Sequence, residues 1–219
     1  MVEQSGTALL LEQICNHHED KIMPLGAFKA ALMGTAGVSA AGDVVLIQSQ
    51  TASDSASLDF TSGIDSTYGE YIFKFYNINP ATDAQTFDFN LSTDSGSNYN
   101  ATKTTTAFLA RHSEDDGTAS LAYSTADDLA QATGFAEISV KGVANDADAS
   151  CVGELHLFNP SSTTYVKHFY SRVVSYQEDS QATDSYYAGY ANTTSAVDAV
   201  RFQMASGNFD GTIKMWGVK

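Results

Sequence analysis

Basic residues are scarce in this chain. Eleven Lys and Arg stand against 26 Asp and Glu, for a formal charge of −15. The basic residues are scattered, with no run or cluster. A nucleic-acid-binding protein needs a positive face to replace condensed counterions, so nucleic acid is excluded as a partner. An anionic membrane surface is excluded on the same ground. Cysteine is almost missing too. Cys15 and Cys151 lie far apart, with no spacing that builds a disulfide framework or a zinc site, and two free buried thiols are expected. Three prolines are too few to make the turns, which leaves Ser, Thr, Asn, Asp and Gly to carry the loops. No apolar run is long enough to span a membrane. The acidic N-terminus and the short Ala8–Leu11 run make no signal peptide, so synthesis and assembly in a reducing cytoplasm are expected. The nucleophile-elbow, zincin, phosphate-loop and dinucleotide fingerprints are all missing. No catalytic motif stands out, and no cofactor or metal is expected.

What the chain does have is strand chemistry. Aromatics make up 11%, with 11 Tyr and 12 Phe, and such rings favour strands. The acidic balance fits a soluble, self-repelling surface, a setting salty enough to screen it, or an outward face on a large assembly.

From Asp43 onward, apolar residues recur with period 2. The pattern predicts strands at Val44–Gln48, around Leu58 and Phe60, at Glu70–Ile78, around Phe87, Phe89 and Leu91, and at Thr105–Arg111, Ser120–Tyr123 and Phe135–Lys141. It continues at Glu154–Phe158, Thr164–Tyr176 and Tyr186–Ala191. Glu70–Ile78 is apolar on both faces, which predicts a central strand buried on each side. Thr164–Tyr176 is long enough that a bend or bulge is expected. Val200, Phe202 and Met204, a Ser206–Gly211 turn, then Ile213 and Met215 predict a closing β-hairpin. Ten to twelve strands with turn signals between them, and no βα alternation, predict an all-β antiparallel sandwich or jelly roll over residues 43–219.

Residues 1–42 read differently. Leu9, Leu10 and Ile14 fall on or beside one helical stripe, and Pro24 opens a second helix carrying Leu25, Phe28 and Leu32. Short helices are marginal alone, so this helical N-terminal arm needs a surface, either its own sandwich or another chain. Those six apolar residues are its expected interface.

Other candidates are weaker. Ser92–Tyr99 resembles the Asp box of sialidase-type propellers, with Asn98 and Tyr99 in place of Thr and Trp. That box is a hairpin device. The chain is too short for the propeller and has only three arginines, Arg111, Arg172 and Arg201. His17 and His18 are adjacent on the helix and point about 100° apart, so they do not converge on an ion. His156 and His168 read as strand residues. Asp146 and Asp148 are a fragment of a calcium loop without its Gly and Glu. Tyr186, Tyr187 and Tyr190 offer either an aromatic platform for a glycan or an ordinary strand or subunit contact, and the second is preferred.

Several stretches resemble a sandwich domain of tailed-bacteriophage structural proteins, especially from marine phages. They are Asp59–Tyr68 (DFTSGIDSTY), Asn79–Asp83 (NPATD), Leu91–Ser97 (LSTDSGS), Leu155–Ser162 (LHLFNPSS), Thr193–Phe202 (TTSAVDAVRF) and Ser206–Asn208 (SGN). Met23-Pro24-Leu25-Gly26 is similar to a frequent start of such proteins, which makes residues 1–22 an added arm. The resemblance implies a virion protein on the outer surface of capsid or tail. It would be a homotrimer bound to the major capsid protein or to other virion proteins. A capsid cement or decoration role is favoured, because the chain is short and shows no heptads or fibre repeats. A tail fibre or receptor-binding protein with a glycan-binding sandwich is the alternative.

Overall fold

The computed structural model describes residues 43–219. The expected arm, with Leu9, Leu10, Ile14, Leu25, Phe28 and Leu32, lies outside the described residues, as does Cys15. Twelve strands follow one another: β1 (Val44–Ser55), β2 (Ser57–Phe60), β3 (Glu70–Pro80), β4 (Phe87–Ser92), β5 (Lys103–Ser113), β6 (Ala119–Tyr123), β7 (Ala136–Glu137), β8 (Cys151–Phe158), β9 (Lys167–Gln177), β10 (Gln181–Ala191), β11 (Ala199–Met204) and β12 (Phe209–Val218). No helix occurs among the described residues. Eight strands form one sheet in the order β1-β12-β3-β8-β9-β10-β5-β6, and four form a second in the order β2-β11-β4-β7. Every strand pair is antiparallel. The fold is all-β and sandwich-like.

Alternation decides which side chains meet between the sheets. In β3, Tyr71, Phe73 and Phe75 are buried while Ile72 and Lys74 between them are only half covered. In β11, Val200, Phe202 and Met204 turn inward. Phe202 is the hub. Its ring lies 5.2 Å from Phe73 and from Phe75, 5.8 Å from Phe87 and 6.1 Å from Phe60. Farther along, Phe89 of the small sheet meets Phe169 of the large one edge-on at 5.1 Å. Each buried ring contributes about 1.5–3 kcal/mol by leaving water, and favourable ring geometry adds about 0.5–1.5 kcal/mol.

The structure corrects several sequence expectations. β11 and β12 do not pair as a hairpin: β11 belongs to the four-stranded sheet and β12 to the eight-stranded one. The turn between them is a corner that carries the chain across the core. Gly207 sits there at φ +78°, and an added Cβ would come within 2.5 Å of Thr82 Oγ1. Two consecutive strands with a turn between them have the same sequence signature whether they pair or face each other across a core. β9 runs without the expected bulge, in unbroken register with β10 over eleven residue pairs. The irregularities fall instead near Asn77 and Gly211, both at positive φ, where β12 meets β1 and β3 and where β3 meets β8, with one more in β1 between Leu46 and Gln48. The strand expected over 135–141 shrinks to the two residues of β7. Finally, β3 is central but not buried on both sides, since Tyr76 is exposed on its outward side.

Candidate functional site

The outward face of the eight-stranded sheet is built by the alternate residues that the core leaves over. Register places Tyr123, Phe108, Tyr186, Arg172, Glu154, Lys74 and Lys214 in one row across seven strands. The next row holds Thr106, Ala188, Tyr170, His156, Ile72, Trp216 and Leu46.

Among the described residues, this face carries nearly all the exposed large apolar side chains. Of ten such residues, Val44 and Leu46 lie on β1, Tyr76 on β3, Phe108 on β5, and Leu121 and Tyr123 on β6. Val152 on β8 and Tyr170 and Val174 on β9 bring the total on this face to nine. The tenth, Tyr165, is in the loop before β9.

The rings are ordered against one another. Phe108 and Tyr186 stack in parallel, centroids 4.6 Å apart and planes 3° apart. His156 stacks on Tyr170 at 4.5 Å, and Phe158 leans on the same Tyr170 ring at 5.7 Å. Between the Phe108–Tyr186 stack and Tyr170 is a depression of about 150 Å³, floored by Thr106 and Ala188. A wider one, about 440 Å³, lies beside it between Tyr76, Val152, Arg172 and Val174.

The charges on this face are paired within it. Arg172 donates Nε to Asp184 Oδ1 at 2.9 Å and Nη2 to Oδ2 at 2.7 Å, with its guanidinium 5.2 Å above the Tyr186 ring. The Asp184 carboxylate raises the Arg172 pKa and keeps the guanidinium protonated. Lys74 lies 3.5 Å from Glu154, and His156 Nδ1 lies 2.5 Å from Glu70 Oε1. Burial raises the Glu154 pKa, but His156 and Lys74 outweigh it and hold the carboxyl below its usual range. Burial, then the charges of Glu70 and Glu154, pushes the Tyr170 phenol up.

Tyr186 and Tyr190 lie on this face. Tyr187 does not. Its position has the opposite parity, it is 1% exposed, and its hydroxyl donates within reach of Thr105 Oγ1 (2.8 Å) and the Asp127 carbonyl (3.1 Å). It is a core residue and cannot meet a surface glycan, so that part of the expected platform is corrected. His156 and His168 share the outward face on neighbouring strands, where each stacks or abuts a tyrosine and not the other.

The remaining candidates are structural. In the Ser92–Tyr99 segment, Ser92 Oγ donates to Asp94 Oδ1 at 2.7 Å and the Asn98 amide donates to the same oxygen at 2.8 Å. Hydrogen bonds from Asn98 hold the Asp94 carboxyl below its usual range. The device joins β4 of one sheet to β5 of the other, so it turns a corner and not the expected hairpin. Asp146 closes a local turn, its carbonyl accepting from the Ala149 amide at 2.9 Å. Among the described residues no group of three or more His, Cys, Asp or Glu converges as metal ligands do. Cys151 is buried, and burial alone pushes its thiol up to about 12, which suppresses the thiolate.

Sequence reasoning missed the buried charged groups. Lys103 is fully buried, and its ammonium donates to Asn90 Oδ1 and to the Ala101 carbonyl, the latter at 2.8 Å. Burial pushes its pKa down to about 7. Lys167 donates to the Tyr165 and Thr193 carbonyls at 2.8 and 3.0 Å and so ties two loops together. Comparison with known proteins returns no matching family model, no matching curated protein and no matching solved structure.

Proposed function

We propose that this chain is a non-enzymatic structural protein of a tailed-phage particle, a capsid cement or decoration protein that binds the outer shell as an oligomer. The jelly-roll form of the sandwich and the attachment arm over residues 1–42 belong to the same reading. One observation carries it: among the described residues, nine of the ten exposed large apolar side chains share one face of one sheet. Patches of that kind mark surfaces that other macromolecules cover. The phage assignment rests on the turn and strand motifs from Asp59 to Asn208. The charge of −15 suits a protein whose other surfaces face solvent.

Copy number per particle tests the role. Quantitative mass spectrometry of purified virions is expected to find hundreds of copies, as a shell component requires. A few to a few dozen copies would move the protein to the tail. Absence from particles would end the virion reading.

A tail-fibre or receptor-binding role is the second reading. It is favoured by Tyr186, which pairs a ring with the polar Arg172–Asp184 group, and by the outward Tyr190. That role requires saccharide binding that Tyr186→Ala or Tyr190→Ala weakens.

A further inference from the structure

We propose that a second copy of this chain docks face to face on the outward side of the eight-stranded sheet, with the depression between Phe108, Tyr186 and Tyr170 near the centre of the contact. The inference rests on the oligomer reading above, names the surface and the partner, and puts a two-fold pair in place of the expected homotrimer.

Four observations converge on this occupant. The first is exposure. The Tyr71, Phe73 and Phe75 side of β3 is buried, while on its other side Ile72 is only half covered and Tyr76 is 40% exposed, alternating with Glu70 and Lys74. The second is charge. Seven formally charged side chains point outward from this face's paired strands, Lys74, Arg172 and Lys214 against Glu70, Glu154, Asp184 and Asp210, so the face carries only −1 on a chain of −15. Two copies repel each other through their other surfaces and least through this one. A strongly basic partner would be drawn elsewhere.

The third is pairing. Arg172 is paired with Asp184 and Lys74 with Glu154 within one copy, Glu70 is hydrogen-bonded to His156, and Lys214 lies over the Tyr76 ring at 5.1 Å, so covering the face leaves these groups with partners. The fourth is size. Eight strands about 4.8 Å apart, with roughly nine residues each at ~3.3 Å, span on the order of 1,000 Å². A stable interface uses about 800 Å² per partner. Two such faces stack about 10 Å apart, as sheets do in sandwiches, and a face that meets its own copy closes a two-fold pair. The depression beside Tyr170 has almost no polar lining, which suits an apolar side chain from the partner better than a sugar hydroxyl.

The test is sedimentation of the full chain from about 1 to 100 μM, with Tyr170→Glu, Val174→Glu and the off-face control Tyr165→Glu. The expected result is a reversible dimer whose Kd rises at least about 30-fold in the first two variants and is unchanged in the third. Circular dichroism and melting of each variant separate loss of contact from loss of fold, and Phe108→Glu provides a second on-face variant if one misfolds. A wild-type chain that stays monomeric at 100 μM overturns the proposal. So does an oligomer indifferent to Tyr170, Val174 and Phe108, or a monomer that uses Tyr170 to bind a saccharide or isolated capsids. These outcomes are independent of virion copy number: a dimer missing from particles sinks only the virion reading, and abundant particle-bound monomer sinks only this one.

Discussion

The two sheets turn opposite kinds of surface away from the core. On the small sheet the outward residues of its central strand β4 are polar, yet they are covered. Asp88, Asn90 and Ser92 of β4 are all buried, because the loops before β5 and β7 close over them. Asn90 donates to the Tyr99 and Thr133 carbonyls of those loops at 2.7 and 3.0 Å. The large sheet's outward residues include many apolar rings and chains, and these are open. Tyr170, Val174, Phe108 and Tyr76 are all exposed to at least 40%. A chain that spends two loops covering polar groups and leaves the rings bare has not placed its apolar surface by accident. Loop cover over the small sheet gives its buried polar groups hydrogen-bond partners, and the face-to-face contact proposed above would cover the bare rings.

The comparison predicts unequal costs for substitutions on the two sides. Phe202→Ala, which empties the hub where five phenylalanine rings meet it, is expected to cost about 4 kcal/mol in chemical denaturation. A cost under about 1 kcal/mol would mean that the two sheets do not share this core.

The covered polar side has its own signature in pH. Asp88 lies across from Glu137 on β7, and burial, reinforced by the charges of Glu137 and Asp127, pushes its carboxyl up to about 8. The folded chain therefore holds a proton that the unfolded chain releases near its ordinary value of 3.8. The contribution to stability is full below about pH 4, falls as pH rises towards about 8, and then levels off. Asp88→Asn is expected to remove that fall, stabilising the protein by about 3 kcal/mol at pH 9 and changing little at pH 4. Identical pH profiles for the two proteins would place Asp88 in contact with water.

A smaller effect comes from the half-buried Arg201, which pairs with Asp59 through Nε at 2.7 Å and Nη2 at 2.6 Å and lies over the Tyr99 ring at 4.3 Å. Solvent screens this pair, so Arg201→Ala is expected to cost about 1 kcal/mol. Smallest of all is Tyr170→Ser on the open face, which should shift the stability of dilute monomer by no more than about 0.5 kcal/mol while weakening self-association. A large loss of monomer stability there would make Tyr170 a folding residue and the face an ordinary part of the domain.

Much of the strand content was legible because alternation is a local property. Phe87, Phe89 and Leu91, and Val200, Phe202 and Met204, each point inward as their spacing requires. Partner choice was not legible, because the corner after Met204 has the same turn residues as a hairpin. Tyr187 was grouped with Tyr186 and Tyr190 by composition, although its parity already set it on the other side of the strand. The buried Asp88 and Lys103 left no trace, since their cover comes from loops distant in sequence. The Glu70–Ile78 run predicts burial on both sides because Ile72 and Tyr76 join Tyr71, Phe73 and Phe75, yet Glu70 and Lys74 share their side and that side stays open among the described residues.

Oxidative footprinting of the tyrosines, on dilute monomer and on the assembled protein, tests the central claim most directly. The account predicts that Tyr76, Tyr123, Tyr170 and Tyr186 lose labelling on assembly while Tyr187 is unlabelled throughout. Full labelling of Tyr170 and Tyr186 in the assembled state would contradict it.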